Sequence, residues 1–381
     1  MQNKNKVLFT ATVDSHILHF HIPFLKYFKD QGYEVHVATN GNEEIPFCDK
    51  KHLISFERSP LKFNNLKAIK QLKKVVDQEH FDIIHTHTPM GSVVTRIASI
   101  KARKNGTRVI YTAHGFHFFK GASKKNWLIF YPVEKLLSKY TDTLITINLE
   151  DYELAKNKFK KCKNIKYVPG VGIDQNKFDF ELTNKEKKEL KESLGLKEDD
   201  FVLIYPAELN ENKNQVMLIR VMEQLVQTNP DIHLVLPGKD SYDGYYQKLA
   251  QEKQLTENIH FLGYRTDIPR LLKISNLAVA TSKREGLPVN IMEAMYVGLP
   301  IIATNCRGQR DLVIDGKNGY IVEIDDDKRM QECIKKLHDD SKLYQDQIKE
   351  SQEMVKNYTL DKIMKDMEKI YQGVNYDKNL D

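Results

Sequence analysis

Short apolar runs alternate along this chain with segments whose apolar residues recur every three or four positions. Val7-Leu8-Phe9, within residues 6–11, reads as a buried strand. A polar turn from Thr12 to His16 leads into helical spacing through Phe20, Ile22, Leu25, Tyr27 and Phe28. Gly32 ends that helix, and residues 33–39 read as the next strand. This β-α-β order opens a parallel sheet. The pattern repeats with strands at 81–87, 108–115, 143–147 and 165–168. It resumes at 201–206, 233–238, 259–265, 277–282, 300–304 and 320–322. Asn64 to Gln78 is predicted helical, with Leu66, Ile69, Leu72 and Val76 on one side. Trp127 to Leu137 is expected to pack on the sheet, kinked at Pro132. Residues 150–163, 215–227 and 268–273 read as helices, and the charged stretch 181–199 as a surface helix. Leu360, Ile363, Met364, Met367 and Ile370 mark a final helix long enough to reach another domain. The turn-rich Pro169-Gly170-Val171-Gly172-Ile173-Asp174 is the expected hinge. The expectation is an α/β protein with one domain over 1–172, a second over 173–357, and a helix within 358–381 returning to the first.

Composition narrows the class. With 381 residues, 41% hydrophobic and 29% charged, the chain has ample core for two domains. No run of about 18 apolar residues occurs, so no helix is expected to span a bilayer. Met1 to Lys6 leads straight into a strand without an apolar leader segment, so no secretory signal is expected. Cys48, Cys162, Cys306 and Cys333 are scattered, which fits reduced cytosolic thiols and argues against a disulfide framework or a cysteine zinc site. The net charge of +6 is uneven: residues 1–180 hold 29 Lys and Arg against 17 Asp and Glu, and the remainder 29 against 35. A basic first half points to a phosphate-rich ligand, a nucleic acid or a membrane surface, or else to a solubilising lysine surface. Lys67, Lys70, Lys73 and Lys74 on the 64–78 helix, preceded by Leu61-Lys62-Phe63, would suit an anionic bilayer or an ordinary surface helix. No nucleic-acid fold signature accompanies the charge. The first βα turn has no GxGxxG, so binding of the NAD type is not indicated.

Candidate chemistry gathers at strand ends, where α/β sheets place their ligands. His85 and His87 have metal-like spacing, but no third ligand is evident, so no metal is expected. His114, followed by Gly115, is placed to donate to a ligand hydroxyl or to offset developing charge. Phe116 to Lys120 is an aromatic and basic loop, suited to an amphiphilic acceptor or anchored by core aromatics. Lys213 stands at a helix start, within reach of a phosphate. Asp325-Asp326-Asp327 precedes a helix and reads as capping rather than as a metal site. The most informative stretch is Arg284 to Met295. Gly286 and Pro288 turn a strand end into a helix whose free N–H groups and dipole suit a phosphate, with Glu285 before it and Glu293 on it.

This set resembles the family 4 retaining glycosyltransferases of GT-B fold, over nearly the whole chain. Glu285 and Glu293 match that family's Glu-x7-Glu motif. Thr112-Ala113-His114-Gly115 resembles its histidine segment, Asn210 to Asn214 its phosphate loop, and Phe261-Leu262-Gly263-Tyr264 its base-holding segment. The stretches beginning Thr112 and Asn305 are most similar to bacterial capsular and exopolysaccharide transferases. The resemblance implies two Rossmann-like domains facing across a cleft, with the C-terminal helix packing back toward the first. It implies transfer of a sugar from a UDP-sugar, an N-acetylated hexosamine being the first choice, to a lipid-linked saccharide.

Under it, Glu293 binds ribose and Glu285 the donor sugar. Lys213, Gly238, Tyr264, Arg265, Gly286, Leu287, Pro288, Val289 and Arg307 complete the donor site. His114 stands over the sugar as a catalytic group beside Glu285. His16, His19, His117 and Lys120 fall on the acceptor side. No metal or other cofactor is implied, and no protein nucleophile is assigned. The expected partners are the UDP-sugar, a polyprenyl-diphosphate-linked saccharide and the anionic cytoplasmic face of the cell membrane, with no nucleic acid. Glu208 departs from the pattern by standing where the family carries an arginine, and Arg284, Arg307 or Arg310 is expected to replace that charge. Alternatives of other classes are a GT-B sugar-nucleotide epimerase and a non-catalytic UDP-sugar-binding protein.

Overall fold

The computed structural model describes residues 4–60 and 62–373. Expectations that fall on Leu61, on the first three residues or on the last eight lie outside the described residues. The chain divides into two compact units, one running to Val171 and resuming at Met364, the other running from Gly172 to Ile363.

The first unit is built on β1 (Lys6–Thr10), β2 (Glu34–Thr39), β3 (Lys50–Leu53), β4 (Ile83–Thr86), β5 (Arg108–Ala113), β6 (Thr143–Thr146) and β7 (Asn164–Tyr167). Their order is β3-β2-β1-β4-β5-β6-β7, and every pairing is parallel. A parallel sheet is covered on both faces, which is why Val7, Leu8 and Phe9 are all fully buried. Strand order reverses between β1 and β4, and the carboxyl ends there open a ligand crevice. β3 has no counterpart in the apolar pattern. Its sequence Lys50-Lys51-His52-Leu53 is polar because it pairs only with β2, at the sheet's edge.

Three helices differ from the apolar pattern. The first splits into Asp14–Phe20 and Ile22–Asp30, because Pro23 begins the second piece and His21 sits at the break. The Asn64–Glu79 helix buries Asn65, Ala68, Leu72 and Val76, while Leu66 is 61% exposed. Its buried stripe keeps Leu72 and Val76 and takes Asn65 and Ala68 in place of Leu66 and the partly buried Ile69. The Lys124–Leu137 helix runs on through Pro132, and it packs Trp127, Phe130, Tyr131 and Leu137 inward while leaving other apolar residues outside. Leu128 is 77% exposed and Leu136 58%, with Ile129 and Val133 also exposed. Its inner side also holds a buried ion pair, Arg96 Nη1 to Glu134 Oε2 at 2.9 Å, with the Arg96 guanidinium over the Tyr111 ring.

The second unit repeats the plan with β8 (Phe201–Ile204), β9 (Ile232–Pro237), β10 (Ile259–Gly263), β11 (Leu277–Ala280), β12 (Ile301–Thr304) and β13 (Gly319–Val322). The order β10-β9-β8-β11-β12-β13 is again parallel throughout, with its reversal between β8 and β11. The Leu360–Gln372 helix begins in this unit, and its part from Met364 belongs to the first. There Tyr371 OH lies 2.9 Å from His85 Nδ1, and Arg108 donates to the carbonyls of Ile370 and Tyr371 at 2.7 and 2.5 Å.

Candidate active site

In the second unit the polar groups converge where β8 and β11 end. The Lys213 N–H donates to Asn210 Oδ1 at 3.0 Å, and Asn214 takes a left-handed turn into the Gln215–Leu225 helix. This aims the Lys213 ammonium at Glu285 Oε1, 2.5 Å away. Ser282 Oγ donates to the same oxygen at 2.6 Å, and Tyr205 OH lies 2.7 Å from Ser282 Oγ. Arg307, buried, donates from Nε to the Glu285 carbonyl at 3.1 Å. The next residue, Gly308, sits at φ +80, and a Cβ on it would lie 2.3 Å from the Gly286 carbonyl. Only glycine lets these two loops close up.

Pro288 is extended and gives the Val289–Tyr296 helix no side-chain cap; the Ile291 N–H donates to Asn290 Oδ1 at 3.0 Å, which leaves the N–H groups of Val289 and Asn290 for another partner. Leu287 is buried and anchors the turn. One turn in, burial pushes the Glu293 carboxyl up to about 7, with the Lys177 charge opposing. Among the described residues no hydrogen bond reaches that carboxyl.

The remaining donor-side candidates divide. Tyr264 is 76% exposed, an open ring face just after β10. Gly238 works through its backbone, since a Cβ there would lie 1.8 Å from the Ala207 carbonyl. Arg265 is clasped by Asp267 at 2.7 and 2.6 Å, so its guanidinium is already engaged. Glu208 is exposed and accepts a hydrogen bond from the Ser241 hydroxyl. Of the three arginines proposed to answer it, Arg284 is exposed and Arg310 donates to Asn305 Oδ1 at 3.0 Å. Arg307 is the one built into the Glu285 loop. Asp326 caps its helix by accepting from the Arg329 N–H, and Asp325 and Asp327 both bind Arg220, so the carboxylate run is structural.

The first unit carries a different site at its own switch point. A cavity of about 510 Å3 is lined by His16, Phe20, Arg58, His117 and Phe130 together with the Thr88-Pro89-Met90 segment. His16 Nε2 lies 3.3 Å from His114 Nε2, which lies 3.4 Å from His87 Nδ1. His21 stacks on His87 with ring centroids 3.7 Å apart. Burial lowers His16 to about 4 and holds His21, His87 and His114 well below the ordinary imidazole range. His85 lies outside this group: it bonds Thr112 Oγ1 at 2.8 Å and Tyr371 OH. His117 lines the cavity against the Phe130 ring. His19 also lines it, although it is exposed and its Nδ1 meets the Ser15 carbonyl at 2.5 Å. Lys120 is exposed and does not line it, and its main-chain N–H donates to Glu150. Phe116 and Phe118 are stacked and buried, so half of the aromatic loop is core.

Comparison with known proteins identifies the family. Glycosyl transferases group 1 matches residues 186–354, and glycosyl transferase 4-like matches 6–148. The chain is 45% identical, over 87% of each sequence, to EpsD of Bacillus subtilis (strain 168), a protein named as a glycosyltransferase. This chain belongs to the group 1, family 4 type glycosyltransferases. A second relative of this glycosyltransferase is the Escherichia coli UDP-Gal:alpha-D-GlcNAc-diphosphoundecaprenol alpha-1,3-galactosyltransferase. It is 30% identical over 73% of this chain and 72% of its own length. The structure of Anabaena HepE in complex with UDP superposes with a TM-score of 0.80 at 21% identity, covering 98% of this chain and all of that one. The fold is GT-B. Sequence reasoning missed His21, Arg58 and Ser282 at these sites. The His16, His19, His21 cluster was the one signal that pointed toward His21, whereas Arg58 and Ser282 arrive only through folding.

Proposed function

We propose that this glycosyltransferase moves a sugar from a UDP-sugar to a polyprenyl-diphosphate-linked saccharide, with retention of anomeric configuration and without a metal. One observation carries the donor half of this reading. Lys213, Arg307, the uncapped helix start at Val289 and two carboxylates meet at one strand-order reversal. A diphosphate leaving group builds up negative charge in the transition state, and cations and helix N–H groups preset around it stabilise that charge. On donor binding, the Lys213 ammonium shifts from Glu285 to the diphosphate. Glu285, still held by Ser282, then accepts from donor-sugar hydroxyls. Glu293 accepts from the ribose, and the Tyr264 ring covers the base. The bond from the anomeric carbon to the diphosphate breaks, and a bond to the acceptor oxygen forms. The acceptor proton leaves with the diphosphate, and the products are UDP and the extended saccharide.

The acceptor half rests on the 510 Å3 cavity, whose aromatic walls and single arginine suit a saccharide phosphate beside His16 and His117. The name of the Escherichia coli relative, with its diphosphoundecaprenol acceptor, supports the class. For the membrane, no helix among the described residues is long and apolar enough to cross it. The exposed Leu128, Ile129, Val133 and Leu136, with Lys135, Lys139, Lys158, Lys160 and Lys161 beside them, support docking on the anionic cytoplasmic face. The experiment is a panel of UDP-sugars, N-acetylated hexosamines first and UDP-galactose next, with an undecaprenyl-diphosphate saccharide and no added metal. Labelled lipid product with equimolar UDP release is expected. Free epimerised donor, or UDP binding with no turnover across the panel, would overturn it.

A further inference from the structure

The histidines at the first switch point are more numerous and closer together than a hydrogen-bonded role explains. His16, His21, His87 and His114 each bring a ring nitrogen to within 4.8 Å of the other three. His114 Nε2 is shared between His16 Nε2 at 3.3 Å and His87 Nδ1 at 3.4 Å. A single imidazole nitrogen offers one proton or one lone pair, so it cannot serve both neighbours. Both distances also exceed the usual hydrogen-bond range of roughly 2.7–3.2 Å. They do match the nitrogen-to-nitrogen edge of a tetrahedral site, about 3.3–3.4 Å for a metal–nitrogen bond of about 2.0–2.1 Å. His21 is 2% exposed and neither of its ring nitrogens has a hydrogen-bond partner. Unpartnered imidazole nitrogens in a buried place are unfavourable unless something fills them.

We propose that His16, His87 and His114, with His21 as the fourth nitrogen, form a binding site for a divalent transition metal ion of the zinc type. All four ligands are imidazoles, with no carboxylate in the set, which favours Zn2+ and its borderline neighbours over Mg2+ or Ca2+. His16 lines the cavity, which gives an entry path. Among the described residues the other close group, His36, His52 and Glu79, does not share these features. Glu79 is bound by Lys6 and Lys50, and His36 by Glu34 and His52. The consequence for transfer rests on the function proposed above. A bound ion holds His16 in its own coordination sphere and withholds it from the acceptor in the cavity it lines, so the ion inhibits and is not a cofactor.

The test uses the untagged full chain, freed of metal, titrated with Zn2+ by calorimetry and with Co2+ by visible absorption. One equivalent is expected, with the intense visible bands of tetrahedral Co2+ and no comparable response to Mg2+. His16→Gln, at a partly exposed position that leaves the core intact, is expected to weaken Zn2+ binding at least about 100-fold. His114→Gln should do the same, and His52→Gln should leave binding unchanged. No uptake, uptake unaltered by His16→Gln and His114→Gln, or loss of uptake in His52→Gln would overturn the assignment. Uptake without inhibition of UDP release would leave the site standing and contradict the role given to His16 beside the acceptor. The metal site and the catalytic reading therefore fail separately.

Discussion

At the end of β1 the polar groups are imidazoles that burial keeps neutral, set among aromatic walls; at the end of β8 they are a lysine, an arginine and two carboxylates around a bare helix start. The two sheets share one topology, so the difference lies in the loops that leave them. A site for a leaving diphosphate needs fixed charge where charge develops. A site for a neutral hydroxyl nucleophile needs shape and a few directional groups. The strand-order reversal supplies the place in both units, and the loop sequence decides the chemistry.

The largest expected effect comes from the charged side. Lys213→Ala should lower kcat/KM for transfer by about 10²–10³-fold, the range for removing one preset group from a developing anion. Because Lys213 and Glu285 are paired, the double variant with Glu285→Gln should lose much less than the product of the two single losses. Fully additive losses, from steady-state kinetics on all four proteins, would separate the two residues.

A second prediction concerns stability on the neutral side. Glu134→Ala strands the buried Arg96 guanidinium and should cost roughly 3–5 kcal/mol in denaturant unfolding. A loss below about 1 kcal/mol, the size of an exposed pair, would mean that apolar contacts hold that helix.

The same helix shows where sequence reading stops. Its apolar residues look like one core stripe, yet Leu128, Ile129, Val133 and Leu136 face outward, and the side that packs pairs Glu134 with Arg96, 38 positions earlier in the chain. A pairing that distant leaves no periodic trace. β3 was invisible for a related reason, since an edge strand of lysines and a histidine has no apolar alternation to read. By contrast, the central strands were legible because burial on both faces demands unbroken apolar runs. The convergence of Lys213 and the Glu285 loop was legible because its parts are local: Glu285 and Glu293 are fixed by one turn and one helix, and Lys213 by the loop after one strand. The imidazole group needed four segments brought together, so only the proximity of His16 to His21 in sequence hinted at it.

The exposed helix face yields a third prediction. Leu128→Glu with Leu136→Glu should weaken binding to anionic vesicles by about tenfold or more, given about 1.5–3 kcal/mol for burying each leucine fully. UDP affinity should not change. Vesicle binding equal to that of the parent protein at low salt would remove this face from the account.

A smaller effect should come from Glu293. Its carboxyl is raised to about 7, so in the free protein it carries a proton below that pH. Ribose hydroxyls are bound best by the ionised form, so UDP affinity should rise severalfold between pH 6 and pH 8, with a proton released on binding in the lower half of that window. UDP titrates in this range too, and Glu293→Gln provides the reference that isolates the protein's share. An unchanged pH profile in that variant would take Glu293 out of the ribose site.

The division between the two switch points is tested most directly by UDP affinity, measured calorimetrically for Lys213→Ala, His117→Ala and the parent protein, each also assayed for transfer. Lys213→Ala is expected to lose both UDP binding and turnover, while His117→Ala keeps parental UDP affinity and loses turnover through a raised acceptor KM. Parental UDP binding in Lys213→Ala, or an equal loss of UDP binding in both variants, would contradict it.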